Sequence, residues 1–205
     1  MLDVVTPETY VQARPGEPVL LRKTRSLALR VRAFVSTKVL RQRSMHMACS
    51  FQGATSATEI EALRQLAAKV PKNRVVVEIG SYQGRSTLAL AIGALAGNKP
   101  LIYAVDPHWD FVGPKGTHYG PANKAALYRN LNRAKVGEIV SVVALPSTQA
   151  AQGWPEANIG LLWIDGDHSY EGVRRDFLAW ARHVAPGGVV AFHDSDFEWV
   201  QRFLK

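Results

Sequence analysis

The stretch Leu161-Leu162-Trp163-Ile164-Asp165-Gly166-Asp167-His168-Ser169-Tyr170 decides how this chain is read, because a continuous apolar run stops abruptly at a cluster of ionisable groups. Strands of a parallel sheet are covered on both faces and read as unbroken apolar runs, and ligands bind in the crevice outside their carboxyl ends. Asp165, Asp167 and His168 fall at that end, with Gly166 to let the backbone turn. Side chains that can hold a proton or a metal, packed this densely, suit a site. The same Asp-Gly-Asp is also ordinary turn and helix-capping chemistry.

Outward from this strand, Ile159 to Ile164, the pattern repeats in both directions. Toward the C-terminus, Val173, Phe177, Trp180, Ala181 and Val184 form an apolar stripe that predicts a helix over Tyr170 to Val184. Pro186-Gly187-Gly188 ends it, and a further strand follows at Val189 to Phe192. Toward the N-terminus lie a strand at Ile139 to Leu145 with the short segment Ser147 to Gln152, a helix at Ala122 to Ala134, and a strand at Leu101 to Val105 ending on Asp106. Before these, Arg74 to Ile79 is a β-branched run that gives way at Gly80 to a helical pattern from Ser86 to Leu95, closed by Gly97. Ser56 and Glu59 have capping-box spacing ahead of Ile60, Leu63 and Leu66, and Pro71 stops that helix. Strand and helix alternate throughout. The expected fold is therefore α/β, a Rossmann-like doubly wound parallel sheet.

Composition sets the bounds. A chain of 205 residues with 47% hydrophobic residues can bury one sizeable core. The single cysteine, Cys49, excludes an intrachain disulfide framework and fits a reducing compartment. Met1 to Pro18 lacks the features of a signal peptide, and no apolar run reaches the ~18 residues of a membrane span, so a cytoplasmic protein is expected. The net charge of +8 is local: Pro18 to Thr58 holds eight basic residues and no acidic one, and the remaining 17 basic residues balance the 17 acidic ones. Leu27, Val31, Phe34 and Val35 recur among these charges at helical spacing. This predicts a basic, helical N-terminal segment over 1–55 that covers the core or serves assembly, ahead of a domain over 56–205 that holds the ligand-binding strand ends. A polyanion would also be served by such a face.

The turn Glu78-Ile79-Gly80-Ser81-Tyr82-Gln83-Gly84 is the second carrier of function. A dinucleotide fingerprint would read G-x-G-x-x-G, with the helix N-terminus facing a pyrophosphate. Here the middle glycine is missing and Glu78 sits beside the loop, where its charge would repel a pyrophosphate. It suits instead a ligand with a cationic amino group and ribose hydroxyls, and Asp106 at the next strand end is placed to accept from such hydroxyls.

Four stretches in this order, VVVEIGSYQGRST from Val75, YAVDPH from Tyr103, WIDGDHSYEGVRRDF from Trp163 and PGGVVAFHD from Pro186, resemble the class I S-adenosylmethionine (SAM) methyltransferases. The likeness covers roughly Val75 to Asp194. Within that class it is greatest to metal-dependent O-methyltransferases that modify sugars, similar to those acting on macrolide sugars and on mycobacterial methylmannose polysaccharides. The resemblance implies that SAM is framed by Glu78, Gly80, Ser81, Tyr82, Gly84 and Ser86, with Asp106 on the ribose and Ser147 near the adenine. It implies Asp165 as a metal ligand, with His193 and Asp194 where the family more often carries two carboxylates or an Asp-Asn pair. It also implies His168 as the base. Strands four and five are expected neighbours, so Asp165, His193 and Asp194 would converge on a divalent ion, magnesium by its preference for oxygen or manganese because of the imidazole.

The expected strand order is 3-2-1-4-5. The family's usual sixth- and seventh-strand hairpin has no counterpart after Asp194, so the fifth strand should form an edge that the basic segment or another subunit covers, and a homo-oligomer is expected. The loop Pro107 to Pro121 carries Trp109 and Tyr119 among glycines and prolines and reads as a substrate-side lid. The function that follows is SAM- and metal-dependent O-methylation of a sugar or glycan hydroxyl. Catechol-like or other small acceptors, a nucleic-acid methyltransferase and a non-catalytic SAM-fold binding protein are the alternatives. Nucleic acid is disfavoured because the fourth strand lacks an Asn/Asp-Pro-Pro-aromatic signature, and a nicotinamide dehydrogenase by the glycine spacing.

Overall fold

A computed structural model describes residues 45–112, 116–155, 158–194 and 198–204. The described residues belong to one compact unit, Ser44–Lys205; the other unit, Met1–Arg43, and with it the expected amphipathic helix around Leu27 to Val35, lies outside them.

The elements in chain order are α1 (Ala57–Lys69), β1 (Val75–Ile79), α2 (Arg85–Ala96), β2 (Ile102–Val105), β3 (Phe111–Val112), β4 (His118–Tyr119), α3 (Pro121–Ala134), β5 (Val140–Val143), α4 (Ser147–Gln152), β6 (Ile159–Ile164), α5 (Tyr170–Trp180), β7 (Val184–Phe192) and α6 (Glu198–Leu204). Five strands form one parallel sheet in the order β5-β2-β1-β6-β7. This is the anticipated 3-2-1-4-5 order once β3 and β4, a separate antiparallel pair, are set aside.

The period-two geometry of the strands divides the core into two layers. Val76, Ile102, Leu161 and Trp163 face one layer with Ile60, Leu63 and Ala67 of α1, Leu88 and Ala91 of α2, and Leu127 and Leu131 of α3. Val77, Ile79, Leu162 and Ile164 face the other, with Ala150, Ala151 and Trp180. All six residues of β6 are buried, which is why its sequence is apolar without alternation. Ala48 and Phe51, from the helical residues 45–50 and the bend beyond, are also buried in the first layer.

Residues 181–184 depart from the expected helix. α5 ends at Trp180, a short 3-10 turn covers Ala181–His183, and Val184 already belongs to β7, paired with Ile159. The register then jumps to Leu161 with Val189, so Ala185 to Gly188 form an irregularity within an edge strand, a setting that tolerates Pro186. After β7, α6 brings Phe203 against Tyr170, Phe177 and Phe192. No helix among the described residues is long and apolar enough to cross a membrane.

Gly80 shows how tightly the strand ends are joined. Its φ is +88°, and a Cβ there would lie 2.1 Å from the carbonyl oxygen of Asp165. Gly80→Ala should therefore lower stability by about 3 kcal/mol or more, since backbone strain and a backbone clash add; a denaturant unfolding curve checks this. An unchanged midpoint would contradict the close approach.

Candidate active site

The sheet ladder continues one residue past the strands and aligns the functional positions. Asp106 N–H donates to Val143 (3.1 Å), Gly80 N–H to Val105 (2.9 Å), Asp165 N–H to Ile79 (2.8 Å) and His193 N–H to Ile164 (3.0 Å). Asp106, Gly80, Asp165 and His193 thus stand side by side along the carboxyl edge, where a doubly wound sheet binds ligands.

Glu78 is fully buried one layer below the glycine turn. The Thr87 hydroxyl donates to its Oε2, while Oε1 has no hydrogen-bond partner. Burial pushes its pKa up to about 8, against the opposing effect of the Ser86 and Thr87 hydroxyls, and the nearby Asp165 and Asp106 add to the rise. A buried acceptor without a donor, beside a loop that turns at Gly80 and Gly84, fits a cationic group of a bound ligand. The Ser81 hydroxyl is buried and also lacks a partner. Asp106 accepts the backbone N–H of Tyr82 on Oδ2 and that of His108 on Oδ1, both at 2.9 Å, which holds its carboxylate fixed. Each oxygen retains a lone pair for a further donor.

Gly84 takes φ +88° as the N-cap of α2, and a Cβ there would meet the Leu127 side chain at 2.6 Å, so its nearest neighbour is α3. Ser147 stands at the start of α4, and its hydroxyl accepts the indole N–H of Trp180 (2.9 Å).

Across the edge, the structure brings Asp165, His168 and His193 together, with one candidate ligand atom from each within 4.8 Å of the others. His193 Nδ1 lies 3.0 Å from Asp165 Oδ1 and 3.3 Å from Asp194 Oδ1. His168 Nδ1 lies 3.4 Å from Asp194 Oδ2 and its Nε2 4.0 Å from Asp165 Oδ1, with 43% of its side chain exposed. Burial would depress the His193 pKa, but the hydrogen bond and charge of Asp165, with Asp194 and Glu59, raise it to about 9. Desolvation raises that of Asp165. One carboxylate and two imidazoles around one point, with Asp194 beside both imidazoles but outside the group, are a donor set for a divalent cation, whose arrival would displace the His193 proton.

The region read as a lid contains the β3–β4 pair. The Tyr119 ring stacks on Phe111 at 4.6 Å and meets Tyr82 edge-on at 5.2 Å. Burial, then Tyr82 and the carboxylates of Asp165 and Asp106, raise its phenol pKa. Trp109, 62% exposed, is not part of that contact. A cleft of about 610 Å³ opens beside it, lined among others by Gln52, Tyr82, Gln83, Asp110, Tyr119 and Asn123.

Three residues make contacts that the sequence reading did not assign to them. Thr87 binds Glu78 across nine positions of sequence, and His108 is buried with its Nδ1 3.6 Å from Asp106. Glu59 was read only as a helix cap, yet its Oε1 lies 3.5 Å from His193 Nε2.

A five-stranded parallel sheet in this order, with acids at the ends of its first two strands and a polar cluster at the ends of the next two, is the fold of the class I SAM-dependent methyltransferases. Residues 77–195 match the family model described as a methyltransferase domain, and the chain belongs to that family. Rv0187 from MTB, solved with its cofactor, is 24% identical, with a TM-score of 0.57 over 85% of this chain and 82% of that one. The O-methyltransferase TomG from Streptomyces achromogenes, solved with SAM, is 16% identical, with a TM-score of 0.56 over 80% and 75% of the two chains. The uncharacterized protein y4gI of Sinorhizobium fredii is 27% identical over 129 residues, which are 60% of this chain and 13% of that relative.

Proposed function

We propose that this chain is a SAM- and divalent-metal-dependent O-methyltransferase acting on a hydroxyl of a sugar or glycan. The observation that carries the reading is the pairing on one edge of a buried, half-partnered Glu78 beside Asp106 with a convergent Asp165–His168–His193 cluster. A SAM-bound protein of the same fold, TomG, supports it. SAM, when bound, supplies a sulfonium methyl to an attacking oxygen, and a divalent ion lowers the pKa of the hydroxyl that attacks.

Glu78 serves as acceptor for the cofactor's amino group, and Asp106, already braced by two backbone N–H groups, as acceptor for its ribose hydroxyls. Asp165, His193 and Asp194 would hold the metal. His168, exposed and braced by Asp194, takes the proton from the acceptor hydroxyl. Tyr119 and Tyr82 offer ring faces to a sugar, and the neighbouring cleft offers amide and carboxylate partners to hydroxyls. A second assignment within the site is favoured by the tight grouping of Asp165, His168 and His193, in which His168 is itself a ligand.

A methyl-transfer screen against sugars, glycans, catechols and RNA, with and without divalent ions, tests the reading. Transfer to a glycan or sugar that chelation abolishes and magnesium or manganese restores is the expected result. Transfer to RNA alone would instead favour the alternative suggested by the basic segment, and full activity after chelation would remove the metal.

A further inference from the structure

His193 is 4% exposed and each of its ring nitrogens faces carboxylate oxygen. On one side Nδ1 lies 3.0 Å from Asp165 Oδ1 and 3.3 Å from Asp194 Oδ1. On the other, Nε2 lies 3.5 Å from Glu59 Oε1. Glu59 is held in place for this contact: its Oε2 accepts the N–H of Ser56 (2.8 Å), and its own N–H donates to the Ser56 hydroxyl (3.2 Å), closing the capping box of α1. The Trp163 ring packs edge-on against the imidazole at 5.8 Å and limits its rotation.

A neutral imidazole carries one donor and one acceptor nitrogen, and the partner of one decides what the other presents. Once a cation displaces the proton that Asp165 holds at Nδ1, the carboxylate of Glu59 keeps the remaining one on Nε2. Nδ1 then offers a lone pair toward the point shared by Asp165 and Asp194, as a cation ligand must.

We propose that Glu59 is a positioning residue that fixes His193 as its Nε2–H tautomer and so completes the metal site from α1, outside the residues 77–195 that match the methyltransferase family. The inference rests on the metal reading above. It joins two roles in one side chain, since one carboxylate oxygen caps the helix and the other orients the ligand.

The test compares the wild-type full chain with Glu59→Gln and Ser56→Ala. Glutamine keeps a side-chain oxygen for the cap but can turn its amide N–H toward Nε2, which selects the opposite tautomer. Ser56→Ala weakens the cap without touching His193. Titration calorimetry with Mn²⁺ should show wild-type binding, an affinity about tenfold to a hundredfold lower for Glu59→Gln with little change in melting temperature, and wild-type affinity with a lower melting temperature for Ser56→Ala. Nitrogen-15 NMR of the Mg²⁺-loaded wild type should find the His193 proton on Nε2. Wild-type Mn²⁺ affinity in Glu59→Gln, an equal loss in Ser56→Ala, or a proton on Nδ1 overturns the role of Glu59 alone. Failure of the wild type to bind either ion overturns the metal reading and this inference with it.

Discussion

His168→Ala should lower methyl-transfer turnover by about a hundredfold to ten-thousandfold, the ordinary size of general-base catalysis, while SAM and metal still bind. The expectation follows from its position. His168 sits on the turn just after β6, 43% exposed, with Nδ1 3.4 Å from Asp194 Oδ2. The nitrogen not engaged by Asp194 is available to an acceptor hydroxyl, and the exposure leaves a route for the proton to solvent. Asp165→Ala and Asp194→Ala should fail differently: each deletes a proposed negatively charged ligand, so metal affinity should fall and excess metal should restore part of the rate. Rates measured across a metal titration separate the roles. If excess metal restores His168→Ala as it does Asp165→Ala, His168 is a ligand; a rate near wild type without added metal removes it from the mechanism.

Glu78→Gln should strip out SAM affinity and at the same time stabilise the ligand-free fold at alkaline pH. Breaking a buried pair between carboxylate and ammonium costs about 3–5 kcal/mol, a hundredfold to a thousandfold or more in affinity. The stability effect has the opposite sign. The folded-state pKa of about 8 lies above the ordinary value of 4.5. The stability this carboxyl contributes is therefore complete below pH 4.5 and is lost as the pH rises to 8, where the buried group must ionise. Glutamine does not ionise, so the variant escapes that loss, worth on the order of 3–5 kcal/mol at most. In the wild type, SAM binding should tighten as pH rises toward 8, because the form that binds an ammonium is the carboxylate. Calorimetry and thermal unfolding from pH 6 to pH 9 check both parts. Unchanged SAM affinity in Glu78→Gln would remove the residue from the cofactor site.

The architecture was legible because the core has two layers. Ile159 to Ile164 is buried on both faces, so its sequence shows one unbroken apolar run, and the matching runs ending at Gly80, Asp106 and His193 placed those residues on one edge. Adjacency of the fourth and fifth strands then brought Asp165 to His193 and Asp194. What stayed hidden depends on tertiary contact. The capping-box spacing of Glu59 accounts fully for a local role and gives no sign of His193. The resemblance places Ser147 near the adenine but gives no sign that Trp180, thirty-three residues on, donates to its hydroxyl. Val184 fits a helical stripe by spacing, but its pairing with Ile159 draws it into β7, since strand pairing beats propensity at the end of a helix.

The central claim is that the carboxyl edge at Glu78 and Asp106 binds SAM, and calorimetric titration of the full chain with SAM, S-adenosylhomocysteine and a nicotinamide dinucleotide tests it most directly. Saturable one-to-one binding of the first two, with no heat from the third, is predicted. Binding of the nicotinamide dinucleotide with no binding of SAM would contradict it.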